Sequence, residues 1–437
     1  MKKEIHFIHT ADLHLDSPFL GLKNVPTDLF KRIQNSTFQA FETLIDEAIE
    51  RDVDFIVIVG DLFDGEDRSI KAQARLRQQM VRLEQVGIHV FISHGNHDHL
   101  SGSWLNLDMP SNVHIFTEEV SCIPFTTKKG LNVHLYGFSY PTRHVTKRKV
   151  SEFIKEGEAD FHIGLLHGHC ESSRSEHQPY APFSIQELLQ KQMDYWALGH
   201  IHKSEILHKD PYIVYPGNPQ GRHKNEKGKK IGYEVVMNVE GETSLQAIPT
   251  SVIQWESLDI RCVEGMSFTD LYTKCVTEME NILNKEKCSV LLEIILKDSG
   301  PQEAGQDGVA TGNGDLSRSS SLSSAIKQRI ENGEFLEMLQ EGVERGLLFI
   351  WPYKISTEEE ISNKVSFEDP TFWNLLNQTI SDYKLEEIDD SLSTLYTHVY
   401  ASRYLSPLTD TMKAKLLVEA QKLISERFVV KKERENR

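Results

Sequence analysis

Cysteine is scarce in this chain, and what there is does not cluster. The 437 residues hold five: Cys122, Cys170, Cys262, Cys275 and Cys288, with no Cys-x-x-Cys pair. That spacing excludes a zinc ribbon and a disulfide framework, and points to reduced thiols of a cytoplasmic protein. Positive charge is also short. The 48 Lys and Arg stand against 65 Asp and Glu, a net charge of −17. So acidic a chain is not by itself a non-specific clamp on nucleic acid. Chemistry on a polyanion stays open, because metal ions can supply positive charge locally. No apolar run approaches a membrane span. The N-terminus runs straight into a strand pattern without signal-peptide features. No internal repeat stands out. The length fits two or three domains, and 39% apolar residues suffice for their cores. Histidine, by contrast, is abundant: 19 residues, crowded into the first half.

The periodicity predicts an alternation of strands and helices. Ile5–His9, Phe55–Val59, Ile88–Ile92, Val113–Phe116, Val133–Gly137, Phe161–Leu166, Tyr195–Leu198, Ile213–Tyr215 and Tyr233–Met237 read as strands. Near-continuous runs such as Phe55–Val59 suit strands covered on both faces. Helices fit 28–50, 69–85, a segment opened by Lys147, and 184–192, from their apolar spacing. Beyond about residue 253 the pattern changes to a smaller α+β unit. It has strands at Leu258–Ile260, Val290–Leu296 and 347–350, and helices at 267–283 and 325–340. Residues 300–324 are rich in Gly, Ser and Asp and read as a flexible insertion. Thr411–Phe428 carries one apolar helical face. That face either caps its own domain or docks a helix of a partner.

The chemistry gathers at strand ends, where open α/β sheets place their sites. Five ends carry Asp12 and His14; Asp61 and Asp64; Asn96, His97 and Asp98; His167; and His200 and His202. In an extended segment, residues two apart face the same side, so each Asp-x-His or His-x-His pair can reach one ion. Asp61 has two oxygens and can bridge two ions. Two ions can hold a phosphate between them and activate a water for in-line attack. Mixed His, Asp and Asn donors suit Mn²⁺, Fe²⁺ or Zn²⁺ and fit Ca²⁺ poorly. His97, beside an amide ligand, is placed to act as a general acid. His169 competes with His167, but His167 falls directly at its strand's end. Gly95 is expected to grant its loop a backbone freedom that larger residues lack.

The order Asp12-x-His14, Gly60-Asp61-x-x-Asp64, Gly95-Asn96-His97-Asp98, His167, Gly199-His200-x-His202 resembles the calcineurin-like metallophosphoesterase signature over about the first 240 residues. The stretches His9–Asp16, Gly60–Asp64 and Tyr215–Arg222 make it most similar to the SbcD-type DNA exonuclease subunits and their bacterial YhaO-like branch. The resemblance implies a four-layer α-β-β-α sandwich at residues 1–250. It also implies an accessory α+β domain at 251–355 and a helical C-terminal region at 356–437. One ion would take Asp12, His14, Asp61 and His202; the other would take Asp61, Asn96, His167 and His200. His97 would protonate the leaving oxygen, with Asp64 or Asp98 orienting it, while Asn218 and Arg222 would contact substrate. Similar nucleases often carry a histidine where this chain has Asp64. The resemblance further implies two divalent ions, foremost Mn²⁺ with Fe²⁺, Zn²⁺ or Mg²⁺ as alternatives. The implied partners are DNA, an SbcC-like coiled-coil ATPase and a second copy of the chain, acting in DNA repair. Two other functions compete. One is a different metallophosphoesterase acting on nucleotides, cyclic nucleotides or phosphoproteins, and the other is a non-catalytic scaffold. About 180 residues beyond the phosphoesterase core favour the nuclease, and the intact ligand blocks oppose the scaffold.

Overall fold

The computed structural model describes residues 3–359 apart from 20, 23, 66–68, 103–106, 172–179, 264, 299–321 and 345, and isolated residues between 378 and 417. Residues 1–297 and 322–358 belong to one compact unit; 298–321 and 359–437 belong to a second. The apolar face at Thr411–Phe428 lies largely outside the described residues, as do residues 300–321 of the Gly/Ser-rich stretch and most of the C-terminal region. Among the described residues, no helix is long and apolar enough to cross a membrane.

The chain runs β1 (Glu4–Thr10), α1 (Thr27–Glu50), β2 (Phe55–Val59), α2 (Ile70–Gln85), β3 (His89–Ser93) and β4 (Val113–Ile115). It continues through β5 (Ser121–Thr126), β6 (Asn132–Gly137), β7 (Phe161–His167), α3 (Ile185–Gln190), β8 (Tyr195–Gly199), β9 (Glu205–Lys209), β10 (Tyr212–Tyr215), β11 (Ile231–Asn238) and β12 (Thr243–Pro249). The smaller α+β part adds β13 (Ile253–Cys262), α4 (Phe268–Glu286), β14 (Ser289–Asp298), α5 (Ser324–Glu331), α6 (Glu334–Glu341) and β15 (Ile350–Glu359). Three sheets form, in the orders β12-β11-β1-β2-β3-β4, β5-β6-β7-β8-β10-β9 and β13-β14-β15. In the first, β1 to β4 are parallel; in the second, β6, β7, β8 and β10 are.

Strand alternation builds the layers. In β2, Phe55, Val57 and Val59 face the second sheet, where they meet Val133, Ile163, Leu165 and Tyr195. Ile56 and Ile58 face the other way, onto Phe41, Leu44 and Leu76 of α1 and α2. In β8, Trp196 and Leu198 face outward onto Leu188 of α3 and Phe153. Both sheets are thus covered on both faces, which explains why their central strands read as unbroken apolar runs. This is the expected four-layer sandwich. The three-stranded sheet and α4 to α6 have their own core around Ile260, Leu271, Leu292 and Phe335. A further cluster joins Leu29 and Ile33 of α1 to Trp255, Leu291, Phe349 and Trp351.

Several expectations change. The single helix over 325–340 is two, because Gly333 takes φ +86° and breaks the turn between α5 and α6. The strand expected from Leu347 starts at Ile350, and Leu347 is 91% exposed. The helix opened by Lys147 is one 3₁₀ turn, Lys149–Glu152. Of the Gly/Ser-rich stretch, Leu322 is buried and Ser323 caps α5. Strands β5, β9 and β12 were not expected. All three are sheet edges, half exposed and polar, so they lack an apolar run.

His9 on β1 illustrates how closed this interior is. Its Nε2 bonds the Leu198 carbonyl at 3.1 Å, and Nδ1 meets the Tyr195 hydroxyl at 3.0 Å. Burial lowers the imidazole to about 3, against the opposing effect of that carbonyl. The unfolded chain therefore binds one more proton between pH 6.5 and about 3. Stability is full above that window and falls as pH drops through it, by up to about 1.4 kcal/mol per pH unit from this group. Urea unfolding of His9→Gln between pH 6 and 4 should show a slope shallower by about one proton. An unchanged slope would show that His9 does not carry it.

Candidate metal centre

The two large sheets deliver their strand ends to one place. The first supplies Asp12, His14, Asp61, Asn96 and His97 after β1, β2 and β3; the second supplies His167, His200 and His202 at β7 and β8. Asp12, His14, Asp61, Asn96 and His167 are almost fully buried. Asp12, His14, Asp61 and His200 take positive φ values of 52°, 42°, 51° and 98°. Such values are uncommon outside glycine and cluster at functional sites. Backbone bonds hold them in place: Asp12 N to Gly60 O at 3.1 Å and His14 N to Asp61 O at 2.9 Å. The His200 amide donates to the Asp12 carboxylate at 3.0 Å. Gly95 is needed for space, since its φ is not positive. A Cβ there would lie 2.3 Å from Asp61 Oδ1 and 2.8 Å from His167 Cε1. Gly60 needs both: its φ is +80°, and a Cβ would lie 2.0 Å from His167 Nδ1.

The hydrogen bonds fix which imidazole nitrogen is free. His167 Nδ1 donates to the Val59 carbonyl at 3.0 Å. Its Nε2 lone pair then faces Asn96 Oδ1 at 3.0 Å and Asp61 Oδ2 at 3.5 Å. His200 Nδ1 lies 3.2 Å from the same Asn96 oxygen. His202 Nδ1 donates to Glu226 Oε1 at 2.6 Å, leaving its Nε2 3.2 Å from His14 Nε2. That His14 nitrogen is 3.7 Å from Asp61 Oδ2. Burial lowers His14, His200 and His202, so all three are neutral donors of lone pairs near pH 7. Burial and then the Asp61 charge raise Asp12. Neutral imidazoles and carboxylates thus converge, and the raised Asp12 marks a crowding of negative charge that a cation would relieve. One ligand atom each from Asp12, His14, Asp61 and His202 falls within 4.8 Å of the others. The donor set fits a divalent metal. His169 lies farther out, its ring 6.4 Å from that of His200.

His97 sits at the mouth, half-buried, its ring 5.0 Å from that of His14. Its amide donates to Asp61 Oδ1 at 2.9 Å and its Nδ1 to the Asp64 carbonyl at 3.1 Å. The backbone of Asp64, and not its carboxylate, orients the ring. Asp98 is aimed elsewhere, at His94 Nδ1 (2.9 Å) and the amides of Asp61, Leu62 and Gly95. His14, Asp64 and His97 also bring ligand atoms within 4.8 Å. There the Arg222 guanidinium already pairs with Asp64, which opposes a cation. Asn218 is 1% exposed and its amide donates to the Gln220 carbonyl and to Glu226, both at 2.8 Å, so it braces a loop. Glu226 is the residue that sequence reasoning missed. Burial would raise its carboxyl, but His202 and Arg222 outweigh this and hold it below the usual range. Nothing in local spacing links it to His202, although a lone acid in a basic loop was a visible oddity.

A calcineurin-like phosphoesterase family model matches residues 5–204. The chain is 35% identical over 98% of its length, and 99% of the relative's, to the uncharacterized metallophosphoesterase YhaO of Bacillus subtilis. It is 27% identical to the DNA double-strand break repair protein Mre11 of Methanosarcina acetivorans, over 57% of this chain and 40% of that one. It is 24% identical to a subunit of the SbcCD nuclease of Escherichia coli, over 52% of this chain and 63% of that one.

A carboxylate behind a ligand histidine fixes its tautomer and strengthens it as a donor. Glu226→Gln should therefore weaken Mn²⁺ binding about 10–100-fold by isothermal titration, with the fold intact by circular dichroism. Unchanged affinity would show that the pair is structural only.

Proposed function

The chain belongs to the calcineurin-like metallophosphoesterases, a family of hydrolases, and from that premise we propose that it is a metal-dependent phosphodiesterase that cleaves DNA. The observation that carries this is the convergence of carboxylates, neutral imidazoles and an amide oxygen at the ends of both sheets. Asp12, His14, Asp61 and His202 would hold one ion, and Asp61, Asn96, His167 and His200 the other. Asp61 suits the shared position because its Oδ2 lies between His14 Nε2 and His167 Nε2. This mix of nitrogen and oxygen donors suits Mn²⁺, Fe²⁺ or Zn²⁺; the family resemblance puts Mn²⁺ first, with Mg²⁺ a further alternative. Bound divalent ions supply charge neutralisation and Lewis acidity for attack of water on a phosphodiester.

The chain's own residues do the rest. His97 Nδ1 is tied to the Asp64 carbonyl, so the general acid would be the imidazolium form, with Nε2 the atom that gives its proton to the leaving oxygen and returns to a lone pair. The Arg222 guanidinium, held by Asp64 beside His202, presents fixed positive charge at the rim for a phosphate oxygen. Likeness to the Mre11 and SbcCD relatives supports DNA as the substrate and repair as the setting. The SbcCD relative is one subunit of a nuclease, and we propose an SbcC-like ATPase and a second copy of the chain as partners. Five cysteines outside any disulfide agree with a reducing cytoplasm.

Asp61→Ala should lower the metal content and abolish Mn²⁺-dependent cleavage of a DNA duplex. A variant that keeps two ions per chain and normal cleavage would end the two-ion reading. His97→Ala should keep its metals and lose about 10²–10⁴ in rate on DNA. Its loss should be smaller on a 4-nitrophenyl ester, whose leaving group needs little protonation. Loss of metal in that variant would make His97 a ligand instead. Comparing a DNA duplex with a cyclic nucleotide separates the nuclease from a small-molecule phosphodiesterase.

A further inference from the structure

Beside the metal centre lies a second cavity of about 640 Å³. Gly21 from the β1–α1 loop, His223 and Lys224 from the 222–230 loop, Trp255 from β13, and Tyr353 and Lys354 from β15 line it. Trp255 forms a buried base, its indole nitrogen bonded to the Gly221 carbonyl at 3.1 Å, and the Tyr353 ring meets it edge-on at 5.0 Å.

The rim is cationic. Residues 222–230 read Arg-His-Lys-Asn-Glu-Lys-Gly-Lys-Lys, five cations to one acid in a chain whose net charge is −17. Three exposed ammonium groups share Glu293, and Lys227 also faces Glu256. Lys354 lies 2.8 Å from it and Lys227 3.7 Å, while Lys224 acts on it at longer range. Three lysines against two carboxylates leave one positive charge over, and Lys224 is exposed with no close ion pair among the described residues. The cavity also touches the metal centre through one atom. Glu226 Oε1 accepts from His202 Nδ1 at 2.6 Å and lies 3.1 Å from His223 Nε2.

We infer that this cavity takes the nucleic-acid strand flanking the phosphate held at the metal centre. Its lysines would neutralise the backbone, and the Tyr353–Trp255 floor would support a base. This rests on the reading of the protein as a DNA phosphodiesterase. An excess of ammonium groups over an aromatic floor is how sequence-independent single-strand sites are built. A small phosphodiester, which has no flanking strand, does not use it.

The test uses the full chain with Mn²⁺ and two probes. One is a fluorescein-labelled phosphorothioate oligothymidylate, read by anisotropy across a salt series; the other is bis(4-nitrophenyl) phosphate, read by hydrolysis. Lys224→Ala/Lys354→Ala should weaken oligonucleotide binding about tenfold and flatten the log–log salt slope by about 0.7 per lost phosphate contact. Hydrolysis of the small diester should not change. Glu293 keeps Lys227 in this variant, and Lys224→Glu alone serves if the double variant is unstable. Equal affinity and equal slope would overturn the cavity's role while leaving the nuclease reading in place. A wild-type chain that hydrolyses the small diester but binds no oligonucleotide would overturn both.

Discussion

The carboxylate of Asp98 ties the ends of β2 and β3 together. It accepts from the amides of Asp61, Leu62 and Gly95 and from the His94 ring, and it is fully buried. Removing it would strand those amides without water, at about 1–3 kcal/mol for each unsatisfied group. The loops it joins carry Asp61, Asn96 and His97. Asp61 in turn receives the His97 amide, and its backbone carbonyl receives the His14 amide. One buried acid thus holds the arrangement on which the candidate ligands depend.

That arrangement is costly. Four site residues sit at positive φ, at about 1–3 kcal/mol each. The close passage of Gly60 and Gly95 by the His167 ring leaves no room to relax. The layers beneath offset the cost. Apolar side chains fill both faces of both sheets, and the parallel register runs to the strand ends, as in Leu166 against Leu198 and His167 against Gly199. Rigidity in the sandwich therefore becomes precision at its edge.

Much of this was legible in the sequence because the buried strands are apolar runs that stop abruptly at polar residues. Phe55–Val59 followed by Gly-Asp, and Tyr195–Leu198 followed by Gly-His, announce both strand and site. The sheet edges were not legible, since Ser121–Thr126 and Glu205–Lys209 are half exposed. Asn218 looked like a substrate contact because of its neighbours, but the fold buries it. Glu226 escaped because its partner His202 is 24 residues away and only the loop's path brings them together. The role of Gly95 could not be separated from sequence either. Room for a neighbour and freedom of φ demand the same residue, and only the packing of His167 against it tells them apart.

The centre draws its groups from both sheets, and the sheets pack on each other through a layer that includes Phe7, Phe55, Val57, Ile163 and Tyr195. That greasy layer is therefore a shim whose thickness sets the gap across which Asp61 faces His167. A close-packed interior passes small displacements on instead of absorbing them. Trimming a ring in the shim would detune the catalytic edge long before the protein unfolded. Metal affinity is, in this architecture, a gauge of hydrophobic packing.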